Sequence, residues 1–440
     1  MGHEKLVKSA AMRLFHLGGL AGRVGLSMAG NTVAGLFRDE KARESIKADV
    51  YVKNALRIKE TLGGLKGVPM KIGQMISLHE KLLPDEVTSI LKTLQQQAPA
   101  VPFSDILEMI RAELGERFSR IREIDESAIA AASIGQVHRT VLDDGREIAL
   151  KVQYPGIDDV IRADMKNLKG VLKLLFSMFS VMDMDLVWQE LNDRLIEELD
   201  YEKEAASMKR AAVLFEDDSR IIVPEVIDEL TTRHILAMEL VRGISPEAVS
   251  GPAYTQGLKN AWAEAITSFV LKGLFEHRFL HADPNIANFS FCEDGRVIVY
   301  DFGCMKEISE ELCGAYVRML SAVLDHDYPN IPELLIGMGV HRGDGGPVSW
   351  EIVADFAAIF QEIVDPKRPY VFGSDRDFYT RIQRLAQKHL AESMTIVFPK
   401  DIIFIDRTFS GHFGNLCMLN ACANWRSILL KYMDAAKEDM

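Results

Sequence analysis

The sequence of 440 residues has little cysteine, no long uninterrupted apolar run and no excess of positive charge. Its five cysteines never stand in a C-x-x-C spacing, which argues against a structural zinc site and a disulfide scaffold and favours a reducing compartment. The formal net charge of −13 argues against a nucleic-acid-binding protein. A hydrophobic content of 48% excludes global disorder and predicts a folded chain with a large core.

The N-terminal region is apolar but not continuously so. Arg23 and other polar residues interrupt residues 14–36, so no stretch reaches the roughly 18 apolar residues of a membrane-spanning helix. This pattern predicts an interfacial segment that rests on anionic lipid; a loosely ordered glycine-rich start, or helices packed on the body of the protein, are the alternatives. Residues 1–38 carry five basic side chains, Lys5, Lys8, Arg13, Arg23 and Arg38, against the single acid Glu4.

Helical patterns dominate the next part of the chain. Pro69 opens a predicted helix on which Lys71 and Gln74, three residues apart, share one face, and a further helix is predicted over 103–116. The pattern changes near Ile124, and the whole chain reads as an α+β fold. Four segments are predicted: a basic membrane-proximal segment (1–39), a helical extension (40–123), a β-containing lobe (124–243) and a helical lobe (244–440).

Two hairpins are predicted, with their turns at residues 144–145 and 294–295, both Asp-Gly. Helices are expected over 158–182 and 186–210, strand-like runs at 220–223 and 233–240, and a helix from about Ser309. The second strand of the first hairpin is expected to place Ile148, Leu150 and Val152 on one face and Ala149 and Lys151 on the other.

A strand lysine and an acidic helix form the first half of a candidate phosphoryl-transfer site. Lys151 stands in A-L-K-V, where an ammonium group can reach two phosphates of a nucleotide; a solvated edge residue is the alternative. A kinase also needs one helix glutamate to hold that lysine by an ion pair, whereas a solvated acidic face is the alternative. The acids that crowd this predicted helix are Glu198, Asp200, Glu202 and Glu204.

The second half of the candidate site is H-A-D-P-N-I-A-N followed by D-F-G. Asp283 and Asn288 have the spacing of a catalytic loop in which the aspartate orients or deprotonates a hydroxyl and the asparagine oxygen holds a metal ion. Asp301 follows a strand and offers a hard oxygen ligand that suits Mg²⁺. Because order, spacing and structural context agree, these motifs predict a site that uses ATP and Mg²⁺.

Two features of an ordinary protein kinase are missing from the sequence. No G-x-G-x-x-G precedes the first hairpin, where the chain reads A-A-A-S at 130–133, so we expect a different contact with the nucleotide. No Ala-Pro-Glu and no long Ser/Thr-bearing segment follow Asp301, so the usual platform for a peptide substrate is not expected.

With these motifs the chain resembles the UbiB/AarF family of atypical kinases, which includes the mitochondrial Coq and ADCK proteins of ubiquinone biosynthesis. The resemblance implies a protein-kinase-like, two-lobed fold whose helical N-terminal extension lies across the active site. Residues 284–288 read P-N-I-A-N where many bacterial members read P-H-P-G-N, which argues against the standard bacterial ubiquinone factor. The motifs that carry the resemblance are K-I-G-Q (71–74), A-A-A-S-I-G-Q-V-H-R (130–139), E-L-D (198–200), H-A-D-P-N-I-A-N (281–288) and Y-D-F-G (300–303).

The resemblance implies a role for each candidate residue. Lys151 would contact phosphates, Glu204 would pair with it, and Asp283 would hold the catalytic-base position. Asn288 and Asp301 would bind Mg²⁺. The candidate nucleotide-binding residues are Ala130, Ala131, Ala132, Ser133, Lys151, Glu239 and Leu240, and the candidate regulatory residues are Lys71 and Gln74 with Glu198 and Asp200.

The leading hypothesis is an ATP- and Mg²⁺-dependent atypical kinase or ATPase that supports isoprenoid-quinone metabolism at a membrane. A small-molecule phosphotransferase and a nucleotide-gated scaffold with little turnover are the alternatives. The expected partners are a nucleotide and an anionic membrane surface or isoprenoid lipid, with protein partners of lipid biosynthesis compatible and nucleic acid not expected. We expect a cytoplasmic protein peripheral to a membrane in a bacterium, or a mitochondrial or plastid protein in a eukaryote.

Overall fold

The structure, a computed structural model, describes residues 101–438 except for 133, 160, 163–164, 166–191, 193–194, 366, 375–377 and 394. The predicted segment 1–39, the helix of Lys71 and Gln74, and most of the predicted helix 158–182 lie outside the described residues. The chain forms two compact units. Of the described residues, the first unit comprises those up to Lys203 together with Ile227–Glu239, and the second comprises Glu204–Val226 and those from Leu240 onward.

The strands and helices are numbered in chain order. The strands are β1 (Ile121–Ile124), β2 (Ala130–Ala131), β3 (Gly135–Leu142), β4 (Glu147–Gln153), β5 (Ile221–Ile222), β6 (Ile235–Glu239), β7 (Phe279–His281), β8 (Phe289–Phe291), β9 (Val297–Val299), β10 (Met305–Glu307), β11 (His341–Arg342), β12 (Tyr370–Val371), β13 (Ile396–Val397) and β14 (Cys422–Ala423). The helices are α1 (Phe103–Leu114), α2 (Tyr201–Leu214), α3 (Pro246–Val249), α4 (Gln256–Phe275), α5 (Glu310–Leu324), α6 (Ile331–Gly337), α7 (Trp350–Ile363), α8 (Phe378–Lys388), α9 (Leu390–Ser393), α10 (Lys400–Met418) and α11 (Trp425–Glu438).

An antiparallel sheet organises the first unit. Its strands follow the order β1-β3-β4-β6, with β2 also paired to β3. The hairpin predicted at residues 144–145 is confirmed: β3 and β4 pair along their length, and Gly145 takes a φ of +87°, a conformation that glycine adopts at little cost. Helix α1 confirms the helix predicted over 103–116, although residues 115–120 continue as a 3₁₀ turn.

Strand β4 is buried on both faces rather than one. Residues 148–153 are all buried, including Ala149 and Lys151 on the face that was expected to differ from that of Ile148. Strand β4 also lies between β3 and β6, so its backbone is paired along both edges. Lys151 is not a solvated edge residue.

The second unit is mainly helical around short strands. Helix α4 is buried along most of its length and supplies Trp262, Ile266 and Phe269 to the core. Strands β8 and β9 confirm the second predicted hairpin, in which Gly295 has a φ of +92°. Strand β7 pairs with β10, and α5 begins after the cap residue Ser309 as predicted.

The predicted helix over 186–210 is wrong at residues 198–200. Helix α2 starts only at Tyr201 and runs to Leu214, and a turn precedes it. The cause is Asp200, whose side chain accepts a hydrogen bond from the backbone N–H of Lys203 at 3.3 Å, as aspartate does at a helix start. Glu198 and Asp200 therefore do not share a helix with Glu204.

Within the described residues, no helix combines the length and the apolar run needed to cross a membrane. The five cysteines all lie among those residues, and none of them forms a disulfide. The α+β class predicted from the sequence is confirmed.

Candidate functional site

Histidine 281 joins the H-A-D and D-F-G motifs of the candidate site in the second unit. Its Nε2 donates to the main-chain oxygen of Asp301 at 2.7 Å, and the backbone N–H of Ala282 donates to the carbonyl of Cys304 at 2.8 Å. The imidazole is only 4% exposed and lies against the rings of Phe269, Phe289 and Phe302. The H-A-D and D-F-G segments are thereby fixed to each other.

The Asp301 carboxylate is oriented by its own turn. Its Oδ1 accepts a hydrogen bond from the backbone N–H of Gly303 at 3.0 Å. A Cβ on Gly303 would lie 3.3 Å from that oxygen and 3.8 Å from Oε2 of Glu204. The buried carboxylate of Glu204, 4% exposed, therefore lies beside the same turn, and glycine keeps the space between the two acids open.

Asn288 is positioned by a short 3₁₀ turn. Asn285 caps that turn, accepting from the N–H of Ala287 at 3.1 Å. The Nδ2 of Asn288 donates to the carbonyl of Asp283 at 3.2 Å, which directs its Oδ1 away from that carbonyl. The N–H of Tyr300 donates to the carbonyl of Asn288 at 3.0 Å, so Asn288 is fixed next to the residue that precedes Asp301.

These residues fit a magnesium ion bound together with phosphates. Mg²⁺ prefers oxygen ligands and is usually held by one or two carboxylates, with phosphates and water completing its shell. Asp301 and Asn288 are both partly accessible and supply oxygen donors of this kind. No group of three or more His, Cys, Asp or Glu side chains that could hold a metal occurs in the part of the chain that the structure describes.

Helix α10 holds the loop of Asp283 by hydrogen bonds to its main chain. The sequence analysis did not predict this contact. Arg407 donates through Nη2 to the carbonyl of Ala282, and Asn415 donates through Nδ2 to the carbonyl of Pro284 at 2.9 Å. Between them, Gly411 faces the Pro284 ring so closely that a Cβ would lie 2.3 Å from Pro284 Cγ. Residues 407, 411 and 415 are four apart and share one helix face, but the sequence does not show which loop that face meets.

The strand lysine lies in the first unit. Lys151 is central in β4, opposite Val137 of β3 and Leu236 of β6, and is 7% exposed. Its Nζ lies 4.9 Å from the centre of the Tyr201 ring.

Residues 130–132 stand where an ordinary protein kinase has a glycine-rich loop, and they form a short strand and a turn against β3. Ala130 and Ala131 form β2 and pair with β3, and the N–H of Ala132 donates to the carbonyl of Gly135 at 2.9 Å. The position that requires glycine is Gly135, where a Cβ would lie 2.2 Å from the carbonyl oxygen of Val152. Alanine at 130–132 is therefore compatible with the backbone. Ser133 lies outside the described residues.

The other predicted residues fall in several places. The carbonyl of Glu198 accepts from Nε2 of Gln153 at 3.2 Å, and Asp200 caps α2, so both lie at the start of that helix in the first unit. Glu239 ends β6, is exposed and pairs with Ile148, and Leu240 follows it. Lys71 and Gln74 lie outside the described residues.

Comparison with known proteins identifies the family of the chain. Residues 93–335 match the ABC1 atypical kinase-like domain. The mitochondrial atypical kinase COQ8B of Rattus norvegicus is 33% identical over 328 residues, covering 74% of this chain but only 62% of that protein, so the chain spans less than two thirds of it. Mitochondrial COQ8 of Saccharomyces cerevisiae is 30% identical over 342 residues, which cover 76% of this chain and 67% of the yeast protein.

A solved structure supports the fold. The Rv3197 protein of Mycobacterium tuberculosis, determined in complex with erythromycin, matches with a TM-score of 0.61 and 24% identity over 88% of this chain and 97% of that one. The fold is a mixed α+β, kinase-like fold.

Proposed function

Since the chain belongs to the ABC1 atypical kinase-like family, we propose that it binds ATP with Mg²⁺ and transfers or hydrolyses the terminal phosphate in support of isoprenoid-quinone lipid metabolism at a membrane. The observation that carries the proposal is the assembly of the second unit. There the His281–Asp301 bond and the Tyr300–Asn288 bond fix two oxygen donors beside the loop of Asp283.

Each residue has a distinct task in this proposal. Asp301 and Asn288 would hold Mg²⁺, which when bound would neutralise charge on the phosphate oxygens. Asp283 accepts a proton from the attacking hydroxyl or water, on a loop whose flanking carbonyls are fixed by Arg407 and Asn415.

The remaining roles follow from the resemblance. Lys151 contacts the phosphates and Glu204 pairs with it. Ala130–Ala132 with Ser133, and Glu239 with Leu240, contact the nucleotide. The K-x-G-Q pair, Lys71 and Gln74, acts on the site together with Glu198 and Asp200.

The acceptor in this proposal is small or is water. Only residues 304–309 separate Gly303 from α5, and within them β10 pairs directly with β7, leaving no extended segment on which a peptide could lie. This observation also favours the second candidate, a small-molecule phosphotransferase.

The membrane part of the proposal rests on the sequence. The five basic side chains of residues 1–38 give an otherwise acidic protein one end that anionic lipid attracts, at about 1 kcal/mol per basic residue near the surface. Isoprenoid quinones and their precursors are found in membranes, so a membrane-bound enzyme would meet them there.

The experiment that tests the proposal is ATP turnover by the full chain with and without vesicles. We expect anionic vesicles, or a quinone-like phenol, to raise the rate of phosphate release, whereas neutral vesicles should change it little. A stoichiometric phosphorylated small molecule would support the phosphotransferase instead. Nucleotide binding with no turnover under any of these conditions would contradict the proposal and support a scaffold.

A further inference from the structure

Tyrosine 201 lies at the first turn of α2, with its ring against the ammonium group of Lys151. The Nζ–centroid distance is 4.9 Å, within the range of a cation–π contact. Both side chains belong to the first unit and are nearly inaccessible, Tyr201 at 2% and Lys151 at 7%. The contact is therefore between a largely desolvated cation and the face of an aromatic ring.

The backbone holds both partners of this contact in place. The N–H of Tyr201 donates to the carbonyl of Arg233 at 2.9 Å, just before β6. Lys151 is paired on both sides, in the centre of the sheet. Two residues beyond it, Gln153 donates to the carbonyl of Glu198, in the turn that leads into α2. The helix start and the strand are thus fixed to each other at several points.

A buried ammonium group needs such support. Transfer of a cation out of water is costly unless other groups stabilise it, and the negative face of an aromatic ring does so most strongly where water is excluded. The lysine stem is also long and flexible, so a ring that fixes its end lowers the entropy lost when phosphate binds.

We propose that Tyr201 is a positioning residue: its ring holds the Lys151 ammonium group in the direction of the nucleotide phosphates, in the apo protein and in the nucleotide complex alike. Tyr201 and Glu204 are three residues apart on α2 and so lie on one helix face. The inference rests on the proposed function, because it assumes that Lys151 meets phosphate.

The test compares Mg-ATP with adenosine, which lacks phosphates, by calorimetric titration of the full chain. Tyr201→Leu should weaken Mg-ATP binding by about three- to thirtyfold, the range expected for a cation–π contact, and leave adenosine binding within about twofold. Tyr201→Phe keeps the ring and should retain most of the Mg-ATP affinity. A general structural role would weaken both ligands together.

Two ring variants of the same shape separate the electrostatic effect of the Tyr201 ring from its packing. Tyr201→pentafluorophenylalanine has the shape of Tyr201→Phe but a reversed charge distribution on the ring face, so it should reproduce the loss of Tyr201→Leu. Phe118→Leu removes another cation–π contact of the first unit, that with Arg111, and serves as the control that should not change Mg-ATP binding. In a Lys151→Met background the effect of Tyr201→Leu should disappear.

Two outcomes would overturn the inference. Equal Mg-ATP affinities for the phenylalanine and pentafluorophenylalanine proteins would show that the ring face does not act on the lysine. Tighter Mg-ATP binding in Tyr201→Leu would show that the ring holds the lysine away from phosphate. If Lys151→Met weakens Mg-ATP in either case, the proposed function stands without this inference; if the unaltered protein binds no ATP, both fail.

Discussion

His281 donates from Nε2 to the main-chain oxygen of Asp301 across 2.7 Å, and this bond links the catalytic-loop motif to the D-F-G motif. Because a carbonyl oxygen can only accept, Nε2 carries the proton of this bond. The ring is buried among three phenylalanines, so its orientation is set by packing as well as by the bond. The position of the Asp301 carboxylate therefore depends on a residue 20 positions earlier in the chain.

Replacement of this histidine tests the link directly. In His281→Leu the Asp301 carbonyl loses its donor, so we expect the free energy of unfolding to fall by about 1–3 kcal/mol and turnover to fall with it. His281→Gln can still donate from its amide and should recover part of both losses. Urea unfolding and phosphate release measure the two effects, and identical results for the two variants would argue against the hydrogen bond.

The contact between α10 and the loop of Asp283 is tested by adding one methyl group at Gly411. In Gly411→Ala the new Cβ would overlap Pro284, next to Asp283, so the helix or the loop must shift. We expect a loss of about 1–3 kcal/mol in unfolding free energy and a lower turnover rate, despite the better helix propensity of alanine. The matched control is Gly257→Ala in α4, where nothing lies within 4 Å of the added carbon and stability should rise by up to about 1 kcal/mol.

A buried histidine on the same helix predicts how stability depends on pH. Burial lowers the pKa of His412 from its ordinary value of 6.5 to about 3. Thr267 donates its hydroxyl to the carbonyl of Ala263, so the 2.9 Å contact between His412 and Thr267 is a bond in which His412 Nε2–H donates. His412 is thus neutral in the folded protein, while the unfolded chain takes up its proton near pH 6.5.

The different pKa values of His412 in the folded and unfolded states determine how the stability changes with pH. Between pH 6.5 and about 3 the unfolded state binds one more proton at this site, so the unfolding free energy falls as the pH falls, by about 1.4 kcal/mol per pH unit. His412→Gln removes this titration. The slope of the unfolding free energy against pH should therefore be smaller in this variant by about 1.4 kcal/mol per pH unit. Chemical denaturation at pH 7, 6, 5 and 4 gives the comparison, and parallel curves for the two proteins would exclude the effect.

The K-x-G-Q motif lies outside the described residues and is tested by function alone. If Lys71 and Gln74 act on the nucleotide site, Lys71→Arg and Gln74→Asn should change the preference between ATP and ADP, or autophosphorylation, by several-fold. Glu80→Asp, on the same predicted helix but on the opposite face, is the control. Variants at 71 and 74 that behave like the unaltered protein would contradict a gating role.

Local sequence signals predicted a good part of the fold. The Asp-Gly turns at 144–145 and 294–295 fixed two hairpins, because a positive φ at the glycine suits the twist of the flanking strands. Ser309 marked the start of α5 by capping it. The motifs of the candidate site were equally local, and the structure places Asp283, Asn288 and Asp301 in one unit.

Features that depend on distant residues were not predictable in the same way. The break at 198–200 interrupts a run of acids that reads as one helix, and it is decided by the cap that Asp200 forms. The central position of Lys151 in the sheet follows from the pairing of β4 with β6, 80 or more positions later. Arg407 and Asn415 contact carbonyls 125 and 131 positions away, and a single sequence does not show which loop a helix face will meet.

The most direct test of the account is the magnesium dependence of ATP turnover in Asp301→Asn. Asp294→Asn, an exposed aspartate of the neighbouring turn that pairs with Arg296, provides a matched control. We expect turnover that requires Mg²⁺ in the unaltered and control proteins, and a loss of at least about a hundredfold in Asp301→Asn with an unchanged melting temperature. Turnover in Asp301→Asn equal to that of the control would contradict the assignment of the site.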